Sequence, residues 1–382
     1  MLFKELIHHP TGLTQLRQMA ADDRLPHANL LLAAPGTGGL PAALALATFL
    51  LCENRSEKDA CGTCRACRKS TKYVHPDLHF AFPVVGSKVI SDQFLPQWRE
   101  TLTESAYFEV NDWLQKIGAE NKQGNINKDE CAAILRKLSL KTFESRYKVM
   151  LIWLPEYLGN EGNRLLKMIE EPPEGTIFIL VAERAELILN TILSRCQLTK
   201  LSSPRISDIE EFLHASGVES DIAAAAARLA DGNLNLAQRL VNSPESSHGA
   251  RFLAWMRACH SGSATKLVEW SNEFAKVGRE NQKNFLHYAL HFWREFLLLS
   301  VQNGEETGVK LLPDELATAK KMLAIIQLDQ VGSLSEIINE CIEHVERNAN
   351  PKILFLDAGI RINKILRPSK VVKKGTLARA IK

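Results

Sequence analysis

Four cysteines within sixteen residues are the strongest concentration of reactive side chains in the sequence. They are separated by eight, two and two residues, at Cys52, Cys61, Cys64 and Cys67. Two cysteines with two residues between them can turn both thiolates onto one ion, and Gly62 supplies backbone freedom for that turn. Four thiolates match the closed tetrahedral set of structural zinc, which leaves no open position for catalysis. We therefore predict structural zinc; an iron–sulfur cluster, His75 in place of one cysteine, and free thiols remain alternatives.

The other cysteines and the start of the chain bear on the cell compartment. Cys131, Cys196, Cys259 and Cys341 lie among apolar neighbours, which predicts core positions. The sequence starts without the pattern of a signal peptide, and its apolar runs near the start fall short of the ~20 residues of a membrane span. We expect a cytoplasmic protein with no membrane partner, where thiols stay reduced and clustered cysteines more often bind metal than form disulfides.

A glycine turn at Gly36, Thr37, Gly38 and Gly39 is the second candidate site. A phosphate loop ends in a second glycine, a lysine that neutralises phosphate, and a Ser or Thr that holds Mg²⁺. With Gly38 as that second glycine, Gly39 takes the lysine position and Leu40 the Ser/Thr position. The strand that would carry the metal-binding acid ends in Trp153-Leu154-Pro155, and the nearest acid is Glu156. We therefore expect no intrinsic ATPase activity, and ATP that is not bound or bound only weakly.

The elements around these residues alternate between strands and helices. Apolar runs at 29–33, 147–153 and 176–181 predict buried strands, and the patterns at 41–51 and 162–169 predict helices. Continuous apolar strands separated by helices favour an α/β fold, with a mostly parallel sheet that helices cover on both faces. Residues 85–130 are polar in pattern and are interpreted as an insertion.

The chain divides into three predicted domains and a tail. Strand signals stop after Pro204, so we place an α/β domain at 1–202, with a zinc module at 52–67, and a small helical domain at 203–247. A larger helical domain follows at 248–368, then a basic tail at 369–382. Lys and Arg number 47 against 44 Asp and Glu, a net charge of +3. That balance argues against a protein that wraps nucleic acid by charge alone.

Several motifs together resemble the bacterial clamp-loader subunits of the AAA+ class. The glycine loop, the cysteine run and His75-Pro76-Asp77 occur in that order, followed by Asn163 to Lys167, Glu170-Glu171-Pro172-Pro173 and Ser194-Arg195-Cys196. The resemblance implies a RecA-like parallel sheet, a small helical lid domain and an all-helical collar domain that assembles a ring. The missing lysine implies the subunit type whose nucleotide site has decayed.

The resemblance also implies roles for single residues. In clamp loaders the arginine of the Ser-Arg-Cys motif, here Arg195, reaches the ATP of the neighbouring subunit as an arginine finger. The alternative is a surface arginine that pairs with Glu183 or Glu186. Asn235 fills the position where this class often has a nucleotide-contacting arginine, which again argues against a working site. Glu170 and Glu171 are interpreted as a helix end, and His27 as a packed histidine.

The implied function is that of a non-hydrolysing clamp-loader subunit of DNA polymerase III. Its implied partners are the motor (gamma/tau) and delta subunits, the sliding clamp (beta) and primer–template DNA. Two alternatives come from other classes: an ATP-hydrolysing motor subunit, which Gly39 and Leu154 oppose, and a zinc-dependent DNA-binding module, which the near-neutral charge opposes.

Overall fold

The computed structural model describes residues 1–8, 10–119, 122–242, 248–302, 304, 308–309, 311, 313–347 and 349–367. The predicted basic tail at 369–382 lies outside the described residues. The chain divides into two compact units, 1–242 and 243–382. The finer division into three domains stays a prediction.

The strands that the structure describes form one parallel sheet in the first unit. They are β1 (Ala28–Leu32), β2 (Leu78–Ala81), β3 (Lys148–Trp153), β4 (Thr176–Ala182) and β5 (Gln197–Lys200), in the order β2-β3-β4-β1-β5. All neighbouring strands run parallel. Because parallel strands need crossover connections, helices are required on the faces of the sheet.

The helices of the first unit lie before, between and after the strands along the chain. In chain order they are α1 (Thr11–Ala21), α2 (Gly39–Leu51), α3 (Arg65–Ser70), α4 (Leu95–Glu104), α5 (Val110–Lys116), α6 (Lys128–Ser139), α7 (Leu166–Glu170), α8 (Asn190–Leu193), α9 (Ile206–Ala215), α10 (Ser220–Ala230) and α11 (Leu234–Asn242). Helices α2 to α8 lie in the connections between strands, whereas α1 precedes β1 and α9 to α11 follow β5. Four 3₁₀ segments add Phe3–Glu5, Ser91–Phe94, Pro155–Leu165 and Ala185–Leu187.

The sheet is buried on both faces, as its apolar strands predict. Within β4, Ile177 and Ile179 face one core cluster, whereas Phe178 faces the other. Every residue of β3 and β4 is buried, and each Leu, Ile or Val that leaves water contributes about 1.5–3 kcal/mol. The predicted α/β fold with helices on both faces is confirmed.

Residues 85–130 pack into the core more closely than their polar pattern indicates. Trp98 and Trp113 are fully buried, and the Trp98 ring stacks on Phe82 with centroids 4.1 Å apart. The same indole lies 5.3 Å from Trp153 at the end of β3. The segment therefore covers the carboxyl end of β3.

The second unit is helical in its described residues. It contains α12 (His248–Ser261), α13 (Ala264–Phe274), α14 (Arg279–Val301), α15 (Pro313–Met322), α16 (Leu328–Glu346) and α17 (Pro351–Leu366). The apolar residues Phe285, Phe292 and Phe296 of α14 are fully buried in the core of this unit. These apolar residues of α14 are therefore part of an ordinary domain core.

Candidate functional site

The four clustered cysteines meet in a small thiol cage. All four Sγ atoms lie within 4.8 Å of one another, with Cys52 and Cys64 4.0 Å apart and Cys61 and Cys67 3.9 Å apart. A tetrahedral ion with Zn–S distances of about 2.3 Å would hold its sulfurs about 3.8 Å apart. These separations are far too long for a disulfide. The cage could hold one tetrahedral ion with these four cysteines as its ligands, and His75 is not part of this group.

Backbone N–H groups are directed at the thiol cage. Cys61 donates its N–H to the Cys52 Sγ, and Cys64 donates to the Cys61 Sγ, each at 3.3 Å. N–H donation from Cys64 and Thr63 lowers the pKa of Cys61 to about 6, because these hydrogen bonds stabilise the thiolate. Burial raises the pKa of Cys52, whose negative charge would need a cation beside it. Gly62, with φ +73°, makes the turn that the spacing predicts.

The remaining cysteines take core positions. Cys131 and Cys259 are fully buried and Cys341 nearly so, whereas Cys196 is half-buried against the core. Burial raises the pKa of Cys131 and Cys196 to about 11, so both stay as neutral thiols. The core prediction is confirmed for the three buried ones.

The glycine turn joins β1 to α2 at the carboxyl edge of the sheet, where a phosphate loop belongs. Gly36 and Gly38 have φ of +67° and +110°, a conformation that glycine adopts without strain. The Thr37 hydroxyl donates to the Ala34 carbonyl at 2.7 Å, which closes the turn. The loop therefore has the shape of a phosphate cradle.

Side chains from elsewhere in the first unit cover this loop. A Cβ atom on Gly38 would lie only 3.1 Å from Cε1 of the Tyr107 ring, and one on Gly36 would lie 2.0 Å from the Asn233 Oδ1. Tyr107 is nearly buried, and its hydroxyl accepts the Ile7 N–H at 3.2 Å. None of the described residues that line the remaining pocket is a lysine or an arginine. The described residues that line this pocket therefore offer phosphate no cationic side chain.

Carboxyl groups, rather than cations, lie at the strand ends beside the loop. Glu183 follows β4 and lines the pocket. Burial, followed by the charges of Glu156 and Glu109, raises the pKa of Glu183 to about 8. Glu156 accepts the N–H groups of Glu183 and Arg184 at 2.6 and 2.7 Å. Both hydrogen bonds end on Oε1 of Glu156, the nearest acid after β3, and its buried Oε2 has no hydrogen-bond partner among the described residues.

The start of α5 ties the glycine loop region to α11. Glu109 accepts a hydrogen bond from the Asn233 amide at 2.8 Å, and Asp112 accepts one from the Asn235 amide at 2.9 Å. Arg239, one turn further along α11, forms an ion pair with the same Asp112 carboxylate. Asn235, the predicted stand-in for a nucleotide-contacting arginine, therefore binds a protein carboxylate.

Arg195 lies between α8 and β5 and is held in one orientation. Its Nε is 3.0 Å from the Glu170 Oε2, and its Nη1 donates to the Thr191 carbonyl at 3.0 Å. A third of the side chain remains exposed. The predicted alternative partners, Glu183 and Glu186, were wrong, because Glu170 at the end of α7 forms the pair. The helix end predicted at Glu170 is confirmed.

Sequence reasoning missed Tyr107 and Phe108, which line the pocket beside the glycine loop. It also missed Glu109 and Asp112, which accept hydrogen bonds from two asparagine amides at the start of α11. Their segment is polar in pattern overall, but it contains the aromatic residues Tyr107, Phe108 and Trp113. These aromatic residues are the sequence feature that could have predicted a packed segment. Sequence reasoning also missed Glu183, which follows directly after a predicted strand.

A parallel sheet with helices on both faces and a glycine loop at its carboxyl edge defines a protein of the α/β class. The family model described as "DNA polymerase III, delta subunit" matches residues 8–205. The chain belongs to this family, and the predicted resemblance to clamp-loader subunits is confirmed. Its curated relatives include delta', tau and gamma subunits of DNA polymerase III.

The relatives cover most of the chain. The DNA polymerase III subunit delta' of Bacillus subtilis (strain 168) is 28% identical over 331 residues, with 84% of this chain and 85% of that protein covered. The delta' subunit of Escherichia coli (strain K12) is 24% identical over 352 residues, with 91% of each covered. A gamma subunit-related protein of Thermotoga maritima superposes with a TM-score of 0.37 at 15% identity, covering 93% of this chain and 100% of that one.

Proposed function

We propose that this chain is a non-hydrolysing clamp-loader subunit that donates Arg195 in trans to the ATP site of a neighbouring motor subunit. The observation that carries the first half is the covered glycine loop. Tyr107 packs against Gly38 and Asn233 against Gly36, and Gly39 stands at the position of the lysine. A bound triphosphate needs donors and positive charge at that position. The alternative of an ATP-hydrolysing motor subunit requires both.

The orientation of Arg195 supports the second half of the proposal. Glu170 and the Thr191 carbonyl hold two sides of the guanidinium, while a third of the side chain stays open to a partner. An arginine finger stabilises the charge spread over the transferring phosphoryl group, and only a planar, permanently charged fork does so with bidentate geometry. Pre-orientation by Glu170 reduces the entropy lost when the finger docks.

The proposed assembly contains the motor (gamma/tau) and delta subunits, the sliding clamp and primer–template DNA, and works in the cytoplasm. Among the described residues, none of the helices has the length and apolar composition that spanning a bilayer requires. The second unit would act as the collar that holds the subunits together. The chain would contribute a rigid subunit and one arginine, and it would not hydrolyse ATP itself.

Zinc is the proposed ion of the thiol cage. Cys52, Cys61, Cys64 and Cys67 would hold it, and a zinc ion there supplies a structural cross-link without an open coordination position. This cross-link would fix the residues between α2 and α3 and the adjoining α3, which carries the basic side chains Arg65 and Lys69.

Reconstitution with purified components tests the proposal. The chain alone should show no ATP turnover, and its addition to the motor and delta subunits should raise DNA-stimulated hydrolysis. Intrinsic turnover by the chain, retained after gel filtration and lost in a Gly38→Val variant, would instead support the motor alternative. Failure to enter a complex with the motor and delta subunits would contradict membership in the assembly.

A further inference from the structure

Helix α3 connects the thiol cage to the loop between α6 and β3. Two of the four cage cysteines belong to this helix, because Cys64 is its N-cap residue and Cys67 lies in its first turn. At the other end of α3, the Lys69 Nζ lies 2.6 Å from both carboxylate oxygens of Glu144, which stands in that loop. A charged contact with a distant segment of the chain therefore starts close to a predicted metal ligand.

The start of α3 depends on the cage for its support. The helix contains six residues, and isolated helices shorter than about 12–15 residues are marginal in water. Residues 53–64, which lead into it, form no helix or strand. The Cys64 Sγ accepts the Cys67 N–H at 3.3 Å, and an ion bound by both sulfurs would lock this first turn. A bound metal would thus fix the position of the whole short helix.

Both ends of α3 reach the same carboxylate. Lys69 and Glu144 are mostly removed from water, with 27% and 21% of their side chains exposed, so solvent screens their attraction only in part. Arg65, the first residue of α3, places its Nη2 3.9 Å from the Glu144 Oε2. The His75 Nε2 lies 3.4 Å from Oε1, but burial lowers the pKa of His75, so its ring adds no positive charge. We name the contacts of Lys69 and Arg65 with Glu144 the α3 bridge.

Glu144 is the middle residue of a turn that a second carboxylate holds from behind. Asp77, which precedes β2 and is 1% exposed, accepts the N–H groups of Phe143, Glu144 and Ser145 at 2.5, 2.9 and 2.9 Å. The turn displays the Phe143 side chain, which is 79% exposed. The turn is therefore held on one side by the sheet through Asp77, and on the other side by the zinc module through the Glu144 side chain.

We propose that zinc in the thiol cage stiffens the turn at residues 143–145 through the α3 bridge. This inference rests on the proposed zinc ion. With the metal bound, α3 keeps Lys69 and Arg65 at the Glu144 carboxylate. Without it the start of α3 is released and these contacts are lost, while Asp77 still holds the turn. The turn then opens more often, although the unit stays folded. The metal would thus control how firmly an exposed surface loop is held, in addition to cross-linking its own cysteines.

Hydrogen exchange followed by mass spectrometry tests this coupling in the full chain, with zinc bound and after removal by a chelator. A peptide that covers residues 141–147 should exchange about three- to tenfold faster without zinc, as expected for the loss of a partly buried ion pair. Peptides from α16 in the second unit should exchange equally in both states. Metal analysis of each sample reports how much zinc is bound.

A variant that leaves the cage intact separates the α3 bridge from general loosening. Lys69→Met keeps a long side chain and removes its charge, so the variant should still bind one zinc per chain. Its 141–147 peptide should exchange close to the metal-free rate, and zinc removal should then have little further effect, as in a double-mutant cycle. Lys72→Met is the matched control and should behave as wild type, because Lys72 is exposed and forms no ion pair with a described residue.

Zinc affinity gives a second readout, because coupling between two sites is reciprocal. If zinc strengthens the α3 bridge, loss of the bridge must weaken zinc binding by the same factor. Glu144→Gln preserves the shape of the side chain and removes its charge. It should raise the zinc Kd, measured by competition with a chelator, about three- to tenfold, whereas Lys72→Met should leave the zinc Kd unchanged.

Failure of the metal site and failure of the coupling give different results. A purified chain that binds no zinc would contradict both the proposed ion and this inference. One zinc per chain, with equal exchange of the 141–147 peptide in the presence and absence of the metal, would overturn the coupling alone. Wild-type exchange and wild-type zinc Kd in Lys69→Met would overturn it as well. Neither measurement involves Arg195, so the proposed role at a neighbouring ATP site is tested separately by reconstitution.

Discussion

Restoring the missing lysine should not restore ATP binding, because the phosphate position lacks room as well as charge. Gly39 is the first residue of α2 and is buried. A Cβ atom there would lie 2.9 Å from the Ala33 Cβ and 3.2 Å from the Val181 Cγ1. In the Gly39→Lys variant these neighbours must move before the longer side chain reaches any phosphate.

The expected size of the effect follows from these contacts. Overpacking a close-packed site costs about 1–3 kcal/mol of unfolding free energy. Tyr107 still packs against Gly38 and Asn233 against Gly36, so the substitution opens no additional space at the loop. The Kd for ATP should therefore stay above about 1 mM, a binding free energy weaker than about 4 kcal/mol.

The assay combines titration calorimetry with Mg·ATP and urea unfolding followed by tryptophan fluorescence. Gly278→Lys is the matched control, because a Cβ at Gly278 has no heavy atom within 4 Å. It adds the same charge to open space and should lose little stability. An ATP Kd below about 10 µM for Gly39→Lys would refute the argument that the site is filled.

Three further predictions concern metal, pH and packing. Cys61→Ser should reduce the zinc content, measured by metal analysis, well below one ion per chain, and an unchanged metal content would contradict the thiol cage. In the wild-type chain, zinc at 100 times its Kd should stabilise the fold by about 2.7 kcal/mol, measured by thermal unfolding. The folded pKa of Glu183, about 8, exceeds its ordinary value of 4.5, so its contribution to stability is present below about pH 4.5 and is lost as pH rises to about 8. Glu183→Gln should therefore stabilise the chain more at pH 8 than at pH 5 in urea titrations, and equal effects at both would contradict the buried acid. Trp98→Ala should cost about 3–5 kcal/mol in the same titrations, whereas a loss below about 1 kcal/mol would mean that residues 85–130 are not part of the core.

The sequence was informative where the physical cause is local. The continuous apolar runs of β1, β3 and β4 predict buried parallel strands, because both faces of the sheet are covered. The cysteine spacing predicts the cage for a similar reason, since short loops between cysteines bring their Sγ atoms together. Asn350 before Pro351 likewise predicts the start of α17, and its side chain accepts the Lys352 N–H.

Other features depend on contacts between distant residues and left no local pattern. β5 is an edge strand with three exposed residues, so it has no apolar run to reveal it, and β2 is only four residues long. Tyr107 contacts the glycine loop although about seventy residues of sequence separate them. Arg195 pairs with Glu170 rather than Glu183 because the end of α7 lies beside α8. Long-range placement of this kind follows from the fold alone.

The central claim is that Arg195 acts in trans at a neighbouring ATP site. The most direct measurement is the DNA-stimulated ATPase rate of the reconstituted complex with wild-type chain, Arg195→Ala, or the control Arg164→Ala, which removes an exposed arginine paired with Glu161. Since an arginine finger contributes a factor of about 10³–10⁵ at its site, Arg195→Ala should abolish the share of turnover from the adjoining site, while Arg164→Ala should not. Equal rates for wild type and Arg195→Ala, in complexes of equal composition, would contradict the account.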